Sequence, residues 1–186
     1  MTEKKSQTNI RCLTEGGICV ALSLVLSYLK IPVMAGFGGF GGSIDLVMIP
    51  LIIFSVRWGL GWGIGAGFVF GTLKYILASG FAISWVSIIF DYSVAYACIG
   101  FAGLFRQKYK LLPVAALVGC FARFVIHFIS GMTVYAQYMP EEFMGYTSMT
   151  PFFYSLLYNG TYMLPNTIIA IVICSLLIPV MHRLDR

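Results

Sequence analysis

Long apolar runs, separated by short connections rich in glycine, proline or charge, dominate the chain. Six of them are evident, at residues 13–31, 44–57, 59–79, 83–105, 112–138 and 152–182. A bilayer core of about 30 Å requires about 20 apolar helical residues, and only the second run is clearly short of that length. The last two runs are long enough to tilt, to bend at Pro165 or Pro179, or to protrude. The pattern predicts an all-α integral membrane protein with six transmembrane helices in one compact bundle.

The composition agrees with a single membrane domain spanning residues 1–186. Hydrophobic residues make up 59% of the chain and charged residues only 10%, whereas soluble domains carry about 25% charged residues. The net charge of +5 does not indicate nucleic-acid binding, because the solvated stretches are short. They comprise residues 1–11, a predicted cytoplasmic tail, and the last few residues. The five cysteines form no C-x-x-C pair, so we expect neither a disulfide nor a metal site.

The basic residues predict the orientation of the bundle in the membrane. If both termini are cytoplasmic, the inner side receives nine of the twelve basic residues, whereas the outer loops receive only Lys30. The nine are Lys4, Lys5, Arg11, Arg57, Arg106, Lys108, Lys110, Arg183 and Arg186. The positive-inside rule therefore predicts an even number of helices with cytoplasmic N and C termini.

Several polar side chains interrupt the apolar runs, although a charge at the centre of a membrane helix costs about 2.5–3.5 kcal/mol. They are Asp91, Arg123, His127, Lys74 and Asn159. Helical rise places Asp91 about 12 Å, His127 about 16 Å and Asn159 about 10 Å below the predicted outer surface. Since such residues are usually functional, we predict that these three converge from three helices in a pocket that opens to the outside.

Structural explanations for the same residues stay open. Asp91 could pair with Arg123 or Lys74 and hold helices together, and His127 could bond a backbone carbonyl. Asn159 could equally connect helices or contact a ligand. A small intramembrane enzyme with Asp91 and His127 as an acid–base pair is another alternative. The chain contains no Walker A, H-E-x-x-H or G-x-S-x-G sequence, so we expect neither an enzyme nor a resident cofactor.

The first run carries a different signal. Gly17 and Ala21 lie four residues apart, and small residues at this spacing allow a second helix to approach closely. The pair lies near the predicted cytoplasmic end, away from the pocket. It is therefore a candidate docking face for a partner.

Four stretches of the sequence resemble a known family. They are "RCLTEGGICVALS", "CIGFAGLFRQKYKL", "RFVIHFISGMTVYAQY" and "FFYSLLYNG", and they are similar to the thiamine-specific S components (ThiT/YuaJ family) of energy-coupling factor (ECF) transporters. The resemblance implies a subunit of the bacterial plasma membrane that captures a vitamin from outside with high affinity. It also implies a membrane-embedded T component and two cytoplasmic ATPase subunits as partners, with Gly17 and Ala21 facing the T component.

The family's ligand residues correspond to positions in this chain. By resemblance, Asp91 occupies the place of the acid that binds the aminopyrimidine ring, where Glu is usual, and Tyr92 matches the tyrosine that follows it. His127 matches the pocket histidine within its H-F-I-x-G setting. Tyr154 and Asn159 match a tyrosine and an asparagine of the sixth helix.

Two further positions depart from the family pattern. Tyr135 lies where the family usually has a stacking Trp, and Phe81 lies where it usually has Tyr. Because these changes alter the walls of the pocket, a related ring such as pyridoxine or a hydroxymethylpyrimidine remains an alternative ligand to thiamine.

Overall fold

A computed structural model describes residues 2–34, 41–78, 80 and 82–184. It contains six helical elements, which confirms the predicted all-α class. They are α1 (Thr2–Tyr28), α2 (Met48–Trp58), α3 (Leu60–Leu77), α4 (Trp85–Phe105), α5 (Leu112–Thr133) and α6 (Pro151–Leu184). Five of the helices are long and apolar enough to cross a membrane, and α2 is a shorter apolar helix.

Helices α1, α5 and α6 show how the observed elements compare with the predicted runs. Helix α1 begins at Thr2, so the predicted tail continues the first helix instead of preceding it. Helix α5 ends at Thr133 and is followed by a short 3₁₀ turn at Ala136–Tyr138. Helix α6 passes through Pro165 and Pro179 without a break; its 34 residues correspond to about 51 Å, more than a bilayer core requires.

Two short hairpins connect helices at one end of the bundle, which we name the cavity end. Strand β1 (Ile31–Pro32) pairs with β2 (Ser43–Ile44) in antiparallel orientation, with Ile31 opposite Ile44. Strand β3 (Glu142–Phe143) pairs with β4 (Tyr146–Thr147) between α5 and α6. The opposite end, where α1 begins and α6 ends, is named the terminal end. There a 3₁₀ turn at Tyr109–Leu111 joins the α4–α5 connection to α5.

Helix α4 is irregular, and this irregularity places its polar residues. Ser84 caps the start, since its Oγ accepts a hydrogen bond from the Ser87 backbone N–H at 3.2 Å. The segment Ile89–Val94 is a π-helix, and Cys98–Phe105 is a 3₁₀-helix. A π segment adds a residue to a turn and is frequent at functional sites. Asp91 lies within it.

Glycines allow α3 and α4 to pack backbone against backbone. A Cβ at Gly67 would collide with the Tyr96 carbonyl, and one at Gly100 would collide with the Ile64 backbone nitrogen. Small residues at a helix contact are the usual means of close approach in membranes. The contact therefore fixes how α4, with Asp91 and Tyr96, is oriented relative to α3.

Candidate ligand-binding site

A cavity of ≈ 250 Å³ lies at the cavity end, between α3, α4, α5 and α6 and beside the β1–β2 hairpin. Its walls combine tyrosine rings with a few charged or amide side chains. Among the lining residues are Lys74, Asp91, Tyr92, Tyr96, Arg123, His127, Tyr135, Tyr154, Tyr158, Asn159 and Tyr162. Aromatic walls with a small number of polar groups are characteristic of small-molecule pockets.

Six of the seven residues predicted to bind a ligand line this one cavity. They are Asp91, Tyr92, His127, Tyr135, Tyr154 and Asn159. The seventh, Phe81, lies outside the described residues. The convergence of Asp91, His127 and Asn159 from three helices is therefore observed, whereas their contact with a ligand stays a prediction.

The Asp91 carboxylate faces the His127 ring. Asp91 Oδ1 lies 3.4 Å from His127 Nδ1, and the second oxygen, Oδ2, is buried without a hydrogen-bond partner among the described residues. Within the same residues, neither Lys74 nor Arg123 lies within ion-pair distance of Asp91. Asp91 therefore does not hold the helices together through these two cations, and one of its oxygens is left as a buried acceptor.

Lys74 and Arg123 instead meet at the hydroxyl of Tyr96. Lys74 Nζ donates to this oxygen at 2.5 Å and lies 3.3 Å from Asp45 Oδ2. Arg123 Nη2 donates to the same hydroxyl at 2.9 Å. Arg123 Nη1 is buried and has no acceptor among the described residues. The two cations are thus held side by side in the wall of the cavity, and one of them keeps an unused donor.

The amide of Asn159 is used within the protein. Its Nδ2 donates to the Ser155 carbonyl at 3.0 Å, to Ser155 Oγ at 3.1 Å and to the His127 carbonyl at 3.2 Å. Its Oδ1 accepts a hydrogen bond from the Tyr162 hydroxyl at 2.8 Å. These bonds connect α5 to α6, which is the structural alternative that the sequence left open. Asn159 thereby positions Tyr162 in the cavity wall.

Tyrosines of α6 form one wall of the cavity. Tyr154, Tyr158 and Tyr162 are spaced by four residues and share a helix face. Phe143 of the β3–β4 hairpin is buried and packs on two of them, with ring centroids 5.0 Å from Tyr154 and 5.9 Å from Tyr158. The connection between α5 and α6 therefore covers this wall.

Tyr135 lies just beyond the end of α5, next to Asp91. Burial raises the pKa of its hydroxyl, and the negative charge of Asp91 raises it further. A phenol with a raised pKa stays protonated at neutral pH. Tyr135 therefore presents an O–H donor beside the Asp91 carboxylate.

Residues 41–45, around strand β2, close one side of the cavity. The Tyr158 hydroxyl donates to the Gly41 carbonyl at 3.1 Å, and Asn166 Nδ2 donates to the Ser43 carbonyl at 2.8 Å. Asn166 Oδ1 also accepts from the Asp45 backbone N–H at 2.9 Å. Gly42 has a φ of +80°, a conformation that favours glycine. Three contacts from α6 thus hold residues 41–45 against the cavity.

Comparison with known proteins assigns the chain to a family. The family model for thiamine transporter proteins (Thia_YuaJ) matches residues 13–185. The chain is also 34% identical over 151 residues to a protein named thiamine transporter ThiT from Bacillus subtilis, covering 73% of this chain and 75% of that protein. The chain belongs to the Thia_YuaJ family.

A second relative and a solved structure agree with this assignment. A thiamine transporter ThiT from Lacticaseibacillus paracasei is 28% identical over 188 residues, which covers 92% of this chain and 89% of that one. The structure of ThiT from Listeria monocytogenes superposes with a TM-score of 0.81 at 22% identity, covering 95% of this chain and 98% of that chain. That likeness supports the fold. With its apolar helices and family membership, the chain is a multi-pass bacterial membrane protein.

Several cavity residues were not predicted from the sequence as parts of the site. Tyr96 lines the cavity four residues after Tyr92, and Tyr162 continues the spacing of Tyr154 and Tyr158; both spacings are visible in the sequence. Lys74 and Arg123 were identifiable as intramembrane charges but not as cavity residues. Both side chains are positioned by hydrogen bonds to the Tyr96 hydroxyl, and the sequence does not reveal these bonds.

The predicted docking face is accessible on α1. Gly17 and Ala21 are both exposed, and a Cβ added at Gly17 would meet nothing within 4 Å. The pair therefore lies on the outer surface of the bundle. Its partner remains a prediction.

Proposed function

We propose that the chain is the substrate-binding S component of an ECF-type vitamin transporter and that its ligand is thiamine. The observation that carries the proposal is the buried, unpartnered Asp91 Oδ2 in an aromatic-walled cavity of a Thia_YuaJ member. Both curated relatives bear the name thiamine transporter, which favours transport over catalysis by an acid–base pair.

The unused polar atoms of the cavity suit the chemistry of thiamine. Buried polar atoms nearly always have partners, and those that lack one require an explanation. Asp91 Oδ2 is an acceptor for the amino group of the pyrimidine ring, and Arg123 Nη1 is a donor for a ring nitrogen or hydroxyl. The positive thiazolium ring would be stabilised by the faces of the tyrosines. Tyr92, Tyr135 and Tyr154 would form the walls around the ligand.

Release of the ligand inside would depend on partners. The chain lacks a Walker A sequence, so the energy would come from ATP hydrolysed by two cytoplasmic ATPase subunits and be transmitted by a membrane T component. The exposed pair Gly17 and Ala21 would provide the contact with the T component, since two small residues allow close helix approach.

Isothermal titration with purified protein tests the ligand. We expect thiamine to bind more tightly than pyridoxine or a hydroxymethylpyrimidine. Asp91→Asn removes the negative charge and should weaken thiamine binding roughly tenfold to hundredfold, as expected for a lost charged hydrogen bond. Asp91→Glu, which keeps the carboxylate, is the matched control and should weaken binding less. Absence of thiamine binding below micromolar concentration would contradict the assignment. Tighter binding of another ring compound would identify that compound as the ligand instead.

Vitamin uptake by cells tests the partner. Gly17→Leu adds bulk to the docking face and should abolish most uptake while leaving thiamine binding by the purified chain unchanged. Gly65→Leu is the control, because Gly65 is an exposed glycine on α3 that also has nothing within 4 Å of its Cβ position. Equal uptake by the two variants would argue against docking through α1.

A further inference from the structure

The two ring nitrogens of His127 have different neighbours. Arg123 Nε lies 3.2 Å from His127 Nε2 and donates to it. Asp91 Oδ1 lies 3.4 Å from Nδ1 on the other side of the ring. A neutral imidazole has one donor and one acceptor nitrogen, whereas a guanidinium only donates. Nε2 must therefore offer its lone pair to Arg123, and the proton of the ring lies on Nδ1.

We propose that Arg123 is a positioning residue that keeps His127 Nε2 unprotonated and so holds the ring as the neutral Nδ1–H tautomer. With the Nδ1–H on the side of Asp91 Oδ1, which lies 3.4 Å from Nδ1, the other oxygen, Oδ2, remains available to a ligand. This last step rests on the proposed function, but the state of the ring does not.

The opposite tautomer would be mismatched at both nitrogens. A proton on Nε2 would face the Arg123 Nε–H, donor against donor. The bare Nδ1 would then face the Asp91 carboxylate, acceptor against acceptor. Both contacts are unfavourable, so this tautomer is the less stable of the two in the observed arrangement.

Arg123 is held firmly enough to impose this choice. Its guanidinium carbon lies 4.1 Å from the centroid of the Tyr96 ring, and Nη2 donates to the Tyr96 hydroxyl. Tyr96 is itself buried, with Phe70 packed edge-on at 4.7 Å. Arg123 and His127 are four residues apart on α5, a spacing that brings side chains together on one helix face.

The surroundings of His127 contain few other groups that could change its protonation. Lys74 bonds Tyr96 and Asp45 instead of the ring. The Tyr162 ring lies 6.3 Å away, edge-on, and its hydroxyl is directed at Asn159. Asn159 contacts only the backbone carbonyl of His127. Among the described groups, Arg123 is therefore the one that donates a hydrogen bond to Nε2.

Nitrogen NMR of the 15N-histidine-labelled protein tests the proposal directly. The chain contains two histidines, and His182→Gln removes the second signal. We expect the wild-type Nε2 of His127 to show a bare, pyridine-like shift from mildly acidic to mildly basic pH. In Arg123→Met, Nε2 should gain a proton at mildly acidic pH, because its blocking donor and a neighbouring positive charge are both gone.

Tyr135→Phe is the matched control. It removes a hydroxyl beside Asp91 but leaves the Arg123 donor in place, so the ring should keep the wild-type pattern. A protonated Nε2 in the wild-type protein would overturn the proposal, and this measurement needs no variant. A bare Nε2 in Arg123→Met would also overturn it. If that variant does not fold, Arg123→Leu, which likewise carries no donor, replaces it with the same expectation.

Thiamine titration separates the ring state from its consequence for the ligand. Arg123→Met should weaken thiamine binding about tenfold or more, because it removes the Nη1 donor proposed for the ligand as well as the ring state that leaves Asp91 Oδ2 free. An unchanged affinity would refute the link to Asp91 Oδ2. Since the NMR pattern is read without ligand, failure of thiamine to bind the wild-type protein would contradict the proposed function and leave the tautomer result standing.

Discussion

The contact between α3 and α4 is built differently at its two ends. Toward the terminal end, Gly63, Gly100 and Gly103 bring the two backbones together, with no room for a Cβ. Toward the cavity end, Gly71 still packs on the Tyr92 carbonyl, but side chains join the contact: Thr72 Oγ1 lies 3.0 Å from Ser93 Oγ, and the Tyr75 and Tyr92 rings lie 5.2 Å apart. Where only glycines meet, no space is left between the two helices, whereas the Tyr92 side chain at the cavity end lines the cavity.

The buried polar atoms that lack hydrogen-bond partners are also distributed unevenly between the two ends of the bundle. Three buried side-chain atoms lack a hydrogen-bond partner among the described residues, namely Asp91 Oδ2, Arg123 Nη1 and Ser130 Oγ. The first two belong to residues that line the cavity. Unpartnered buried groups are costly. Their concentration at one end therefore indicates that stability is given up there for ligand recognition, whereas the glycine contact stabilises the fold.

The largest effect is expected from disturbing the glycine contact. Gly100→Ala places a methyl group against the backbone of Ile64 and should lower the free energy of unfolding by about 3 kcal/mol, at the upper end of overpacking costs. Gly65→Ala, at an exposed glycine of α3, should change it little. Thermal unfolding in detergent measures both. If the two variants melt alike, the backbone contact does not contribute the stability assigned to it.

A smaller effect is expected at the wall of the cavity. Tyr162→Phe keeps the ring but leaves Asn159 Oδ1 without its donor, which should cost about 2 kcal/mol of stability. Unlike Gly100→Ala, it should also weaken thiamine binding by the folded protein, because the wall residue loses its anchor. Titration of the folded fraction distinguishes the two variants. Unchanged affinity would mean that the Asn159–Tyr162 bond is purely structural.

The smallest effect is expected where residues 41–45 meet α6. Tyr158→Phe removes one hydrogen bond to the Gly41 carbonyl at a half-buried position, worth about 1 kcal/mol. Thiamine should dissociate about fivefold faster, with little change in the melting temperature. Stopped-flow measurement of ligand release checks this. A melting temperature that falls as far as in Tyr162→Phe would show that the bond supports the bundle instead of the cavity cover.

Local properties of the sequence determined the helices and the list of intramembrane polar residues. The length of an apolar run depends only on neighbouring residues, so five long helices and the short α2 were predictable. The depths of Asp91, His127 and Asn159 followed from helical rise, and these residues do line one cavity.

Tertiary structure decided which polar groups are used within the protein and which are left over. The Asn159 amide forms hydrogen bonds with Ser155, His127 and Tyr162, whereas Asp91 keeps one oxygen unpaired. Sequence spacing does not distinguish these outcomes, because partners depend on how each helix is rotated about its axis. That rotation is set by the glycine contact and by the π segment of α4, where a single extra residue per turn redirects every side chain that follows.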